Sequence, residues 1–101
     1  MTAMVRIPID NDRIAEFCRR NKIRRLAFFG SVLRDDFGPG SDVDVLVEFG
    51  PDAGVGFFAI ARMQDELSAI LGRPVDLCTQ KGLSRYFRDR VVREAEVAYV
   101  A

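Results

Sequence analysis

Residues Asp42–Phe49 read DVDVLVEF. In an extended chain Val43, Val45, Val47 and Phe49 fall on one side, and Asp42, Asp44, Leu46 and Glu48 on the other. A helix would scatter the valines around its axis, so the segment is a strand with one face on a core. The same alternation puts two carboxylates at the strand's mouth, with Cα atoms about 6.5–7 Å apart. Two like charges so close repel unless a counter-ion joins them. The plain reading is an acidic strand end, with Asp42 capping a turn. The chemical reading is a grip on a hard, oxygen-seeking cation such as Mg²⁺.

The rest of the chain supplies partners for this strand. Residues 11–21 predict a helix, capped by Asn11 or Asp12, with Ile14, Phe17 and Cys18 as its apolar stripe. Arg24–Phe29 predicts a short strand that ends at Gly30, and Ser31–Asp36 a brief helix. Phe37–Ser41, FGPGS, is a turn, because Gly-Pro-Gly continues neither helix nor ladder. Gly50–Gly56 is a loop. Phe58–Leu71 predicts a helix with Ile60, Met63, Leu67, Ile70 and Leu71 inward and Gly72 as its stop. Pro74–Cys78 is a third strand. Leu83–Glu94 predicts a second amphipathic helix, with Leu83, Phe87, Val91 and Ala95 inward, and Val97–Ala101 a last edge strand. The order is that of a small α/β domain, a short mixed sheet covered by helices. At 101 residues it is a single domain spanning 1–101.

Composition narrows the chemistry. There is no histidine, so acid–base or metal work falls to carboxylates. Lys+Arg and Asp+Glu are both 15, without the basic excess expected of a protein that tracks long nucleic acid. Cys18 and Cys78 stand in no metal spacing and read as reduced thiols. No apolar run approaches a membrane span, and a cytoplasmic location is the default expectation.

Three further features bear on the acids. Gly30-Ser31 closes one strand and opens a helix, where backbone N–H groups and a hydroxyl suit a phosphate; the plain alternative is a simple turn. Arg34, about one helical turn on, would face the same side and reach a phosphate; otherwise it is a surface cation or a partner for Asp35 or Asp36. Asp76 interrupts the apolar strand PVDLC. It completes a three-carboxylate cluster if its strand lies beside Asp42–Phe49, and is otherwise a cap or an ion-pair member.

Taken together, G-S-x-x-R, then S-D-x-D leading into an apolar strand, then one Asp in a later strand, resembles the nucleotidyltransferase superfamily that includes DNA polymerase beta. More closely it resembles the minimal nucleotidyltransferase (MNT) family, one-domain proteins that in many bacteria and archaea are antitoxin partners of HEPN-domain toxins. Gly30, Ser31, Arg34, Ser41, Asp42, Asp44 and Asp76 match the pattern. The family often has Gly after the Arg, whereas this chain has Asp35, which bears on that loop and on substrate contact. The resemblance implies a polymerase-beta-like fold and two Mg²⁺ ions bridged by Asp42 and Asp44. It implies that Asp76 binds one of them and helps to deprotonate an incoming hydroxyl. Gly30, Ser31, Arg34 and Ser41 would hold the nucleotide. It further implies AMP transfer from ATP to a hydroxyl, a tyrosine, of a HEPN ribonuclease toxin, which the modification would silence.

Two other functions compete. One is a binding module that neutralises a toxin by covering it. The other is a small-molecule nucleotidyltransferase that dimerises to complete its pocket; the apolar tail Val97, Tyr99 and Val100 leaves room for self-association. The basic run Arg19, Arg20, Lys22, Arg24 and Arg25 reads as a solvated face, with partner contact or nucleotide attraction as the alternative, and Phe57-Phe58 as core, with an exposed partner anchor as the alternative.

Overall fold

A computed structural model describes residues 9–33, 38, 41–51 and 54–101. The elements in chain order are α1 (Asn11–Arg20), β1 (Ile23–Phe29), a 3-10 turn (Gly30–Leu33), β2 (Val43–Phe49), α2 (Phe57–Leu71), β3 (Val75–Thr79), a second 3-10 turn (Gln80–Gly82), α3 (Arg88–Glu94) and β4 (Glu96–Val100). The four strands form one mixed sheet in the order β3-β2-β1-β4. β1 runs antiparallel to both β2 and β4. β2 and β3 are parallel, joined by α2 as the crossover.

One sheet face carries the main core. Ile14, Phe17 and Cys18 of α1 and Met63 and Leu67 of α2 pack on Leu26, Phe28, Val43, Val45, Val47, Val75 and Leu77. Of these, Val43, Val45 and Val47 are alternate members of β2, as its alternation requires. Leu46, from the opposite face, seeds a smaller cluster with Phe29 and Leu83, backed by Cys78, Val91, Val92 and Ala95. The sheet is therefore covered fully on one side and partly on the other. The uncovered part of the second face is where Asp44 and Asp76 lie.

Several boundaries differ from the sequence expectations. The α1 cap is Asp10, whose Oδ1 accepts from the Arg13 N–H at 3.2 Å, one residue before the expected pair. α2 begins at Phe57 and ends on Gly72, whose φ of 69° is the left-handed stop that glycine tolerates. Phe57 and Phe58 are not core: they are 82% and 87% exposed and pack edge-to-face on each other, centroids 6.1 Å apart. Burial along α2 becomes complete only at Met63 and Leu67. The expected helix Leu83–Glu94 is shorter, beginning at Arg88. Leu83 is buried but extended (ψ 145°), and a turn spans 84–87, so Phe87 is exposed rather than inward. Here the stripe Leu83, Phe87, Val91 imitated a helix, while Gly82 and Ser84 stopped one from forming.

The expected brief helix after Gly30 is a single 3-10 turn over Gly30–Leu33. Arg34, Asp35, Asp36, Phe37, Pro39 and Gly40 lie outside the described residues. The basic run is solvated, as expected, and largely ion-paired. Arg20 meets Glu16 and Glu66, and Arg24 and Arg25 each stand 3.7 Å from Glu48.

Candidate active site

β2 and β3 are in direct register from Val43↔Val75 to Val47↔Thr79, and Asp44 is the partner of Asp76. Facing residues of neighbouring strands point to the same side, and strands lie about 4.8 Å apart. The two carboxylates therefore stand side by side on the open face. The register continues with Leu46↔Cys78, so the apolar floor starts one step along. Asp44 also faces Phe29 across β1, which brings the end of β1 and Gly30 to the same place.

Gly30 has a positive φ of 74°, and a Cβ built there would land on Oδ2 of Asp44. The residue is glycine for two physical reasons: the backbone is left-handed, and the space belongs to a carboxylate. Ser31 follows, its Oγ donating to the Asp42 carbonyl at 3.5 Å, which ties the turn to the strand that bears the acids.

Asp42 stands one residue ahead of β2 and is exposed. The ladder is anchored immediately after it, where the Val43 N–H donates to the Pro74 carbonyl at 2.9 Å. Ser41 is bonded twice to Gly38: its N–H donates to the Gly38 carbonyl at 3.0 Å, and its Oγ accepts from the Gly38 N–H at 3.2 Å. Arg73 Nη1 donates to the same carbonyl at 3.1 Å, tying Gly38 to the residues just before β3. The fold thus brings Gly30, Ser31, Ser41, Asp42, Asp44 and Asp76 to one end of the sheet, with Asp44 and Asp76 as register partners. Among the described residues no three acidic, cysteine or histidine side chains already converge as a metal nest.

The local electrostatics carry the mark of both acids. The Cys78 thiol is pushed up to about 11, first by burial and then by the charges of Asp76 and Asp44. It remains protonated and is no competitor as a ligand for a hard ion. The carboxylates of Asp44 and Asp76, the first seated against the Cβ-free Gly30, are the oxygen donors that a hard ion such as Mg²⁺ takes.

Two residues that sequence reading missed hold β3 in place. Its outer edge is capped by α2: Gln64 Oε1 accepts from the Leu77 N–H at 2.9 Å and Ser68 Oγ from the Val75 N–H at 3.1 Å. These bonds flank Asp76 on both sides and fix the rotation of its strand. Their only trace in the sequence is a polar pair at i, i+4 on the flank of an otherwise apolar helix stripe.

The family model described as nucleotidyltransferase domain matches residues 12–100. The chain belongs to this nucleotidyltransferase family. The enzyme is 32% identical over 83 residues to a Methanocaldococcus jannaschii protein provisionally named a protein adenylyltransferase, a match covering 82% of this chain and 87% of that one. It is 33% identical over 85 residues to the protein adenylyltransferase MntA of Thermococcus cleftensis, covering 84% and 82% of the two chains. Among solved structures, a toxin–antitoxin with AMP-PNP superposes with a TM-score of 0.74 at 21% identity, over 92% of this chain and 75% of that one. A tri-AMPylated Shewanella oneidensis HEPN toxin in complex with its MNT antitoxin gives 0.65 at 22% identity, over 90% and 70%. At such identities the superpositions establish the nucleotidyltransferase fold. No helix among the described residues is long and apolar enough to cross a membrane.

Proposed function

We propose that this nucleotidyltransferase transfers AMP from ATP to a tyrosine hydroxyl of a cognate HEPN-domain toxin, and so acts as its antitoxin. The observation that carries the reading is the Asp44↔Asp76 register beside the Gly30 turn. Two carboxylates held on one face next to a Cβ-free backbone are what a phosphate and its counter-ions require. Support for the direction of transfer comes from the named adenylyltransferase relatives.

In this reading Asp42, Asp44 and Asp76 would hold Mg²⁺. Gly30, Ser31, Ser41 and Arg34 hold the nucleotide phosphates. Bound Mg²⁺ supplies charge neutralisation at the transferring phosphate and eases loss of the hydroxyl proton. The acceptor oxygen bonds to the α-phosphorus, the bond from that phosphorus to the β-bridging oxygen breaks, and pyrophosphate departs. The hydroxyl proton passes toward the Asp76 carboxylate. The sheet edge at β3, braced by Gln64 and Ser68, keeps that carboxylate beside Asp44.

The test is intact-mass analysis of a cognate HEPN-domain protein incubated with this chain, ATP and Mg²⁺. Addition of one or more AMP units is expected, and its loss in Asp44→Asn. Undiminished labelling by Asp44→Asn, or an unlabelled partner that is neutralised all the same, would replace the reading with a purely covering antitoxin.

A further inference from the structure

The turn 84–87 follows Leu83, which is buried on the sheet face that carries Asp44 and Asp76. Leu83 is buried against Phe29, Leu46 and Cys78, and these are the cross-strand or next neighbours of Asp44 and Asp76. Immediately after it, Tyr86 and Phe87 are 87% and 46% exposed. The other exposed aromatic pair, Phe57 and Phe58, follows the far end of β2, a strand length away from the acids.

The turn is held rigid. Ser84 Oγ accepts from the Tyr86 N–H at 3.3 Å and the Ser84 carbonyl from the Phe87 N–H at 3.2 Å. Arg88 reaches back, Nη2 donating to the Leu83 carbonyl at 3.0 Å. The guanidinium of Arg85 sits 5.4 Å from the Tyr86 ring centroid and stiffens the exposed ring.

Charge separates this wall from the rest of the face. Residues 81–93 contain Lys81, Arg85, Arg88, Arg90 and Arg93 against the single acid Asp89, in a chain of zero formal charge. Arg90 is occupied by Glu94 at 3.3 Å, but none of the ion pairs among the described residues engages Lys81, Arg85 or Arg93. Cations free of ion pairs among the described residues, and an exposed aromatic, thus flank Leu83, whose side chain is buried on the face that carries the acids.

We infer that Tyr86, with Lys81 and Arg85, forms the docking surface for the acceptor protein, and that it takes an acidic segment next to the modified hydroxyl. The inference rests on the adenylyl-transfer reading above. Asp42, Asp44 and Asp76 repel an acidic chain, while Lys81 and Arg85 attract it, so it is held along the wall and only its hydroxyl reaches the acids. A second copy of this chain is a poor occupant, because two cationic walls would meet. A nucleic acid is disfavoured by the carboxylates on the same face and by the short reach of the cationic run. An exposed, pre-ordered tyrosine is the kind of anchor on which binding energy concentrates.

The experiment measures fluorescence anisotropy of a labelled glutamate-rich peptide with one tyrosine, and of a lysine-rich counterpart. The proteins are wild type, Tyr86→Ala, Tyr86→Phe, Lys81→Glu/Arg85→Glu and Asp44→Asn, each matched by thermal melting. The acidic peptide binds and weakens as salt rises. Tyr86→Ala and the double reversal each lose about tenfold in affinity. Tyr86→Phe binds as wild type does, and Asp44→Asn, which lacks one of the repelling carboxylates, binds at least as tightly. Equal binding of the lysine-rich peptide, undiminished binding by both the Ala and reversed variants, or tighter binding of a single-stranded RNA oligonucleotide at the same residues overturns the inference. The two readings fail separately. Docking without AMP transfer to the toxin defeats the catalytic reading alone, and transfer at the wild-type rate by the reversed variant defeats the docking surface alone.

Discussion

Asp44 of β2 and Asp76 of β3 face each other across the parallel ladder, two residues far apart in sequence that share one rung of the sheet. The strand that carries Asp44 is paired on its other side at Phe29, so the Gly30 turn adjoins the same point.

Divalent-ion binding has a readout that does not depend on turnover. Mg²⁺ should raise the melting temperature of wild type and leave Asp44→Asn and Asp76→Asn unmoved, because the ion binds the folded state alone. In the transfer assay each variant should lose on the order of a hundredfold or more, since charge neutralisation at the phosphate is worth several kcal/mol. A melting shift of wild-type size in both variants would place the ion elsewhere.

Gly30→Ala tests the turn. A left-handed conformation costs a residue with a Cβ about 1–2 kcal/mol, so stability should fall by that amount. The new methyl also displaces Oδ2 of Asp44. Activity should therefore drop far more than stability does, and the Mg²⁺-induced melting shift should shrink with it. Denaturant unfolding run beside the transfer assay separates the two effects.

Gln64→Leu tests the brace behind β3. The change leaves the Leu77 N–H without its acceptor, and an abandoned buried donor costs about 1–3 kcal/mol. With Asp76 loosened, transfer should decline while ATP binding is kept, a split that steady-state kinetics and a nucleotide-binding titration resolve. Ser68→Ala should give a smaller version of the same result through Val75.

Alkaline pH should destabilise the domain through Cys18. This fully buried thiol is pushed up from its ordinary 9.0 to about 12 by burial, opposed weakly by Arg19. The folded state therefore holds the proton more tightly than the unfolded chain. The contribution is fully present below pH 9 and is lost as pH climbs through the folded value, at about 1.4 kcal/mol per pH unit. Urea unfolding between pH 8 and 10.5 should show this slope in wild type, and a shallower one in Cys18→Ala.

Much of this was legible because the relevant signals are local. The alternation of Asp42–Phe49 required a strand with valines inward, and an acid between Val75 and Leu77 required a reason to be there. What the sequence hid depends on contacts between distant segments. Gln64 and Ser68 look like ordinary helix polar residues until β3 is laid against them. Phe57-Phe58 carry the composition of a core, but the first turn of α2 leaves them in solvent. Leu83, Phe87 and Val91 have helical spacing, yet only the part from Arg88 onward is helix, because Ser84 bonds its own neighbours in a turn instead. The turn at Gly30 was legible, whereas its role in leaving space for the Asp44 carboxylate appears only with coordinates.

The missing side chain at position 30 offers a criterion for sorting sister sequences. On the adenylyl-transfer reading, a descendant that keeps all three acids but carries any larger amino acid there should look intact in a motif search and yet have lost transfer. On the same reading, lineages that retain only contact with their partner should be free to accumulate that single exchange first.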